Sequence, residues 1–169
     1  GDYICSLGCD EFIWAEKLAV QVKYLDENPD IACIWGVPGN GPMGPVPSWE
    51  QYIFQAHNRS KELWLKCFLN LEGVPIGGGS AMWRRSLFDA IGYFNPDLTA
   101  FSDHEWFVRL FEKHQGRILP YRFMNEVPGH KKICTRTEKN AAKLDAELAY
   151  VRTTHPLQLP KTEGLITVA

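Results

Sequence analysis

The stretch 5-CSLGCDEFIWAEKL-18 joins an apolar, strand-like segment to a helical one through two adjacent carboxylates, Asp10 and Glu11. In open α/β sheets, ligands collect beyond the carboxyl ends of the strands. Mg²⁺ and Mn²⁺ prefer hard oxygen ligands, and Mg²⁺ typically takes one or two carboxylates together with substrate phosphates. The pair therefore fits a cation site. Spacing alone favours another explanation, in which the two acids stabilise the positive end of the macrodipole of the next helix.

Downstream of this pair, the spacing of Leu18, Val22 and Leu25 is typical of an amphipathic helix. The pattern predicts that these three residues form the buried face and that Lys17 and Gln21 lie outside it.

The remaining chain alternates between strand-like and helical segments, which predicts an α/β domain. The apolar run 31–36 has the length of a strand covered on both faces, and the Pro/Gly-dense segment 37–48 is typical of a functional or mobile loop. Helices are expected over about 49–71, 87–91, 103–114 and 138–151, and strands near 80–84 and 117–124.

Composition fits one soluble globular domain, since 45% of the 169 residues are hydrophobic and 22% are charged. A net charge of −2 gives no electrostatic reason to expect a nucleic-acid partner or an acidic membrane surface. The apolar runs are far shorter than the roughly 20 residues that a membrane span needs. Five cysteines without a Cys-x-x-Cys pair indicate a reducing cytoplasm rather than a disulfide scaffold.

A second acidic cluster lies in 99-TAFSDHEWFVRLFEK-113, where a helix is expected to begin. Ser102 and Glu105 have the spacing of a capping box, which explains both residues without a function. Asp103 is not needed for that box. If it is functional, its natural task is that of a general base, which takes a proton from an attacking hydroxyl.

Two further features are weaker signals. The run 77-GGGSAMW-83 lets backbone approach a ligand closely, but it does not match the spacing of the known phosphate-binding loops. His130 could ligate a metal, although a single histidine is more often a surface or hydrogen-bonded residue. Cys5, Cys9 and a distant histidine have poor spacing for zinc.

Taken in order, two blocks of the sequence resemble family 2 glycosyltransferases. The first, residues 2–36, has an acidic motif at the end of a strand, followed by Glu-Lys-Leu and Asn-Pro-Asp. The second, residues 79–120, has Arg-Arg-Ser-Leu-Phe, Gly-Tyr-Phe and an acidic residue at the start of a helix. The resemblance spans about residues 1–135. It implies a GT-A fold with a mixed sheet flanked by helices, of which this chain is the acceptor-side part. The nucleotide-binding N-terminal half is expected to precede Gly1, and residues 136–169 are expected to form a C-terminal helix and tail.

The resemblance also implies residue roles. Asp10 matches the metal-contacting acid, His130 a further metal or phosphate ligand, and Asp103 the catalytic base. The cofactor would be Mg²⁺ or Mn²⁺, the donor a nucleotide-diphosphate sugar, and the acceptor a carbohydrate or another hydroxyl compound. Substrate-binding positions would be Glu11, Gly78, Gly79, Ser102 and Trp106.

The activity implied is transfer of the sugar with inversion, as in polysaccharide biosynthesis. The enzyme would lie in the cytoplasm, either free or peripheral at the membrane. The chain departs from the family pattern at Gly8 and Ser102, where acids are usual. These departures leave open a non-catalytic module that binds a sugar nucleotide or a partner. An unrelated α/β domain, with acids that only cap helices, is the third possibility. The 169-residue chain by itself is expected to be inactive, since half of the donor pocket would be missing.

Overall fold

The computed structural model describes residues 1–8, 11–37, 39–48, 51, 58, 60–70, 78–127 and 137–156. The strands are β1 (Tyr3–Cys5), β2 (Glu11–Ile13), β3 (Ile31–Trp35), β4 (Gly44–Pro45), β5 (Met82–Arg84), β6 (Gln115–Ile118), β7 (Tyr121–Arg122) and β8 (Met124–Glu126). The helices are α1 (Lys17–Glu27), α2 (Lys61–Asn70), α3 (Leu87–Ile91), α4 (Ser102–Lys113) and α5 (Ala141–Thr154), and Gly78–Ser80 forms a 3₁₀ turn. None of the helices in this part of the chain combines the length and apolar character that a membrane crossing requires.

The main sheet has four strands in the order β1-β5-β3-β6. Strand β5 pairs antiparallel with β1 and β3, whereas β3 and β6 are parallel. Two small antiparallel ribbons, β2 with β8 and β4 with β7, accompany it. The prediction of an α/β domain with a mixed sheet flanked by helices is therefore confirmed, whereas the GT-A fold stays a prediction, as does the division at residue 135.

Strand β3 is the centre of the core, since all five of its residues are buried. On one face, Trp35 packs against aromatic rings from α2 and α4, with ring centroids 5.4 Å from Trp64 and 5.5 Å from Phe111. On the other face, Ile34 belongs to a smaller cluster that includes Leu25 of α1. The predicted strand covered on both faces is thus confirmed, as is the helix predicted over about 103–114, which contains Phe111.

The buried face of α1 differs from the prediction. Lys17, Gln21 and Leu25 are buried, whereas Leu18 is 46% exposed. The amphipathic pattern failed because both polar side chains have backbone partners inside: Lys17 Nζ donates to Gly79 O at 2.9 Å and Gln21 Nε2 donates to Ser80 O at 2.8 Å. A buried polar group that is hydrogen-bonded avoids most of the penalty of desolvation.

The Pro/Gly-rich loop is tied to the strands beside it. The side chain of Asn125 bonds both backbone groups of Gly41. Its Oδ1 accepts the Gly41 N–H at 3.2 Å, and its Nδ2 donates to the Gly41 carbonyl oxygen at 2.8 Å. Arg122 donates to the carbonyl oxygens of Gly39 and Pro42. The described part of this loop, residues 37 and 39–48, is therefore hydrogen-bonded to β7 and β8.

Arg84 joins β5 to the end of α1, and its removal gives a first test of the packing. Its guanidinium donates to the carbonyl oxygens of Leu25 at 2.6 Å, Asn28 at 3.1 Å and Ile31 at 3.0 Å. Replacing Arg84 with Met keeps the apolar stem but leaves these acceptors to water or unpaired. We expect the free energy of unfolding to fall by about 2 kcal/mol, a loss of roughly 4–8 °C in melting temperature.

The neighbouring Arg85→Met is the matched control, because Arg85 is exposed. We expect its effect on urea-induced unfolding to stay within about 0.5 kcal/mol. Equal effects of the two substitutions would contradict the bonding role of Arg84.

Candidate functional site

The candidate site lies around the Gly78–Ser80 turn, at the carboxyl ends of β1 and β3. The register that pairs Cys5 with Met82 brings the residues after β1 beside the turn that precedes β5. Ser6 Oγ donates to Gly78 O at 2.7 Å. From the end of β3, the Gly36 N–H donates to Ser80 Oγ at 3.4 Å. Loops at such sheet edges are where α/β proteins bind ligands.

The half-buried Glu11 carboxylate lies directly against Gly79. Its Oε2 accepts the Gly8 N–H at 2.6 Å. A Cβ placed on Gly79 would overlap this carboxylate, so the absence of a side chain at Gly79 lets Glu11 lie this close.

Asp103 reaches the same turn from α4. Its side chain is exposed, and Oδ1 accepts the His104 N–H at 2.8 Å. Oδ2 lies 3.4 Å from the position that a Cβ on Gly78 would take. The structure thus brings Glu11 and Asp103, far apart in sequence, against consecutive glycines of one turn.

Lys17 is a site residue that the sequence pattern missed. Its side chain is 1% exposed and donates a hydrogen bond to the carbonyl oxygen of Gly79 from the protein interior. Burial lowers the pKa of Lys17 from its ordinary value, while the charges of Cys5 and Glu11 oppose that shift. The only sequence signal was its spacing of four residues from Gln21, which places both on one helix face.

The other predicted substrate-binding residues lie nearby or in the core. Ser102 is the first residue of α4, and its hydroxyl donates to Asn95 O at 3.2 Å rather than capping the helix. Glu105 pairs instead with Arg109, so the predicted capping box is wrong. Trp106 is 0% exposed and donates its indole N–H to Gly92 O at 2.8 Å. Its contact with substrate stays a prediction, which this burial does not favour.

The predicted metal ligands Asp10 and His130 lie outside the described residues. Within the described ranges, no group of three or more His, Cys, Asp or Glu side chains is placed to hold a metal ion. Glu11 contributes a hard carboxylate oxygen beside Asp10 in sequence, and this is the donor chemistry that Mg²⁺ or Mn²⁺ prefers.

His104, beside Asp103, makes the stability of this region depend on pH. Its Nε2 lies 2.5 Å from Phe68 O, in the last turn of α2, and therefore carries the hydrogen. Burial lowers the pKa of His104, while the bond to Phe68 O and the charge of Asp103 oppose the shift. Because the folded protein binds this proton more weakly than the unfolded chain, the contribution of His104 is complete above the ordinary value of 6.5. It is lost as the pH falls through the lower folded pKa.

We expect His104→Gln, which keeps a donor for Phe68 O, to reduce the loss of unfolding free energy between about pH 7 and 5. Urea titrations at several pH values measure this. His114→Gln is the companion variant, because burial and the charges of Lys113 and Lys61 also lower the pKa of His114. An unchanged pH dependence in His104→Gln would contradict the assignment.

Comparison with known proteins assigns no family to this chain. No family model matches the sequence, and a search of curated proteins finds no match.

Proposed function

We propose that this chain is the acceptor-side part of a GT-A glycosyltransferase, which transfers a sugar from a nucleotide-diphosphate donor to an acceptor hydroxyl with inversion. The observation that carries the proposal is the placement of Glu11 and Asp103 against Gly78 and Gly79. Sequence resemblance separately assigns those positions to substrate binding and to the catalytic base. The contact therefore joins two blocks that the resemblance treats as one site.

Asp103 is the general base of the proposed reaction. Its side chain is exposed, and Oδ1 accepts the N–H of His104 in the first turn of the same helix. An acceptor hydroxyl bound next to Oδ2 would give its proton to the carboxylate as its oxygen attacks the sugar. The attack comes from the face opposite the leaving diphosphate, which is the geometry that inversion requires.

The glycine turn and Glu11 would shape the donor side. Gly78 and Gly79 present backbone without side chains, so a ligand can approach closely. Asp10 and Glu11, with His130, would hold a Mg²⁺ or Mn²⁺ ion. When bound, such an ion neutralises charge on the diphosphate leaving group.

A sugar-nucleotide-binding module without catalysis is the second candidate. It is favoured by Gly8 and Ser102, which stand where the family carries acids. In the structure both residues make local hydrogen bonds: the Gly8 N–H donates to the Glu11 carboxylate, and the Ser102 hydroxyl donates to the Asn95 carbonyl oxygen.

Thermal unfolding with Mn²⁺ and a nucleoside diphosphate tests ligand binding by the intact protein. A ligand at 100 times its dissociation constant stabilises the folded state by about 2.7 kcal/mol, which raises the melting temperature by roughly 5–10 °C. We expect this shift with at least one of UDP, GDP, ADP or CDP, and we expect consumption of the matching nucleotide sugar. A shift without consumption favours the binding module, and no shift with any of the four contradicts both candidates.

A further inference from the structure

Glu147 of α5 makes an unusual contact with the backbone that leads into α4. Its carboxylate accepts three N–H groups in succession: Thr99 at 3.1 Å, Ala100 at 2.9 Å and Phe101 at 3.2 Å. The side chain is buried, with 6% exposed. Charge-assisted bonds of this kind are stronger than neutral ones, so this carboxylate fixes the residues immediately before the first turn of α4.

The charge state of Glu147 is consistent with this role. Burial by itself would raise the pKa of Glu147, but the N–H groups of Ala100, Thr99 and Phe101 and the charge of Lys143 lower it below its ordinary value. Lys143 lies 3.9 Å from Glu147 Oε1 and also donates to Thr99 Oγ1 at 2.6 Å. The Glu147 carboxylate is therefore ionised at neutral pH, and it contacts both the three backbone N–H groups and the Lys143 ammonium group.

Two further polar contacts attach helix α5 to helices α2 and α4. Arg152 donates to Leu69 O at the end of α2, and His155, the residue that follows α5, lies between Glu105 and Glu112 of α4, at 3.2 and 2.9 Å. The helix that carries Glu147 is thus anchored independently of it. Its position against the 99–101 backbone is set by the fold and not by Glu147 alone.

We propose that Glu147 is a positioning residue for Asp103: it holds residues 99–101 so that the first turn of α4 presents the Asp103 carboxylate to Gly78. Asp103 is only two residues beyond the last bonded N–H, at Phe101. This inference rests on the proposed function for its catalytic meaning. The placement of Asp103 by Glu147 can be tested without any substrate.

Glu147→Gln is the test variant, because it keeps the shape of the side chain but replaces one acceptor oxygen with a donor. Asp145→Asn is the matched control, since Asp145 is an exposed carboxylate on the same helix and its replacement removes the same charge as Glu147→Gln does. In the intact protein, the ¹³C resonance of the Asp103 carboxyl should shift in Glu147→Gln and not in Asp145→Asn. Amide hydrogen exchange at residues 99–104 should be about tenfold faster only in Glu147→Gln.

The kinetic readout separates this role from a loss of folding. Below the melting temperature of each variant, Glu147→Gln should lower kcat about 10- to 100-fold, with the KM for the donor within about twofold of wild type. If Glu147→Gln does not fold, Glu147→Asp, which keeps an ionised acceptor, is measured in its place with smaller effects of the same sign. An unmoved Asp103 resonance together with wild-type exchange overturns the proposal. If no nucleotide sugar is consumed by wild type, the proposed function fails while these spectra still decide the role of Glu147.

Discussion

Asp103→Asn is expected to reduce sugar transfer by the intact protein about 10²- to 10⁴-fold, the range over which a general base contributes to catalysis. Asparagine keeps the shape of the side chain and can still accept the His104 N–H that Asp103 Oδ1 accepts at 2.8 Å. It cannot take a proton from an acceptor hydroxyl. Because Asp103 is exposed, the substitution should leave the free energy of unfolding within about 0.5 kcal/mol of wild type.

Rates of nucleotide-sugar consumption, measured with saturating donor and acceptor, separate the catalytic candidate from its rivals. Asp97→Asn is the matched control, because Asp97 is also an exposed carboxylate and lies in the segment before α4. We expect full activity from this variant. Wild-type turnover by Asp103→Asn would show that Asp103 is not the general base. If wild type and Asp103→Asn bind the nucleotide equally well and neither turns over, the binding module is favoured.

The elements that apolar spacing predicts are those whose burial is decided by apolar contacts. Strand β3 and helix α4 belong to this group, since Trp35 and Phe111 pack on each other across the same core. The positive φ of Gly92, at 82°, ends α3 where the sequence predicted an end. At these positions, local propensity and tertiary packing agree.

The prediction for α1 failed where polar side chains serve the site. Hydropathy assigns Lys17 to solvent, yet the structure buries it because the turn supplies the Gly79 carbonyl as a partner. That partner is created by the pairing of β1 with β5, a long-range event that a single helix pattern does not contain. Likewise, nothing local marks Glu147 as the acceptor for the backbone before α4. Residues that connect distant elements through polar contacts are those that periodicity misses.

Part of the candidate site was nevertheless visible in the sequence. Glu11, Gly78, Gly79 and Asp103 were selected from separate segments, and in the structure the two carboxylates lie against the two glycines. Asp10 and His130 remain predictions. Spacing along the chain could nominate the acids but could not show which glycine each one touches.

Gly79→Ala tests that contact directly, and we expect it to lower sugar transfer about 100-fold, as a displacement of about 1 Å in a site can do. Gly79 is not among the described glycines with positive φ, which are Gly39, Gly44 and Gly92. Alanine should therefore act through crowding of Glu11 rather than through backbone strain. Since the Glu11 carboxylate is the end of a flexible side chain, it can swing away from the Gly8 N–H. The expected loss of unfolding free energy is only about 1 kcal/mol.

A double-mutant cycle with Glu11→Ala makes this argument quantitative. When the carboxylate is absent, the three atoms nearest to the added Cβ at Gly79 are gone, so Gly79→Ala should cause a smaller further loss of stability and activity in that background. The cycle should therefore give a coupling energy above about 0.5 kcal/mol, the limit within which independent sites are additive. Gly78→Ala is the comparison, because its Cβ would lie at an ordinary contact distance of 3.4 Å from Asp103 Oδ2. Its effect should be smaller. Additive losses for Gly79→Ala and Glu11→Ala would mean that Glu11 does not lie on Gly79 in solution, and the link between the two halves of the site would be lost with it.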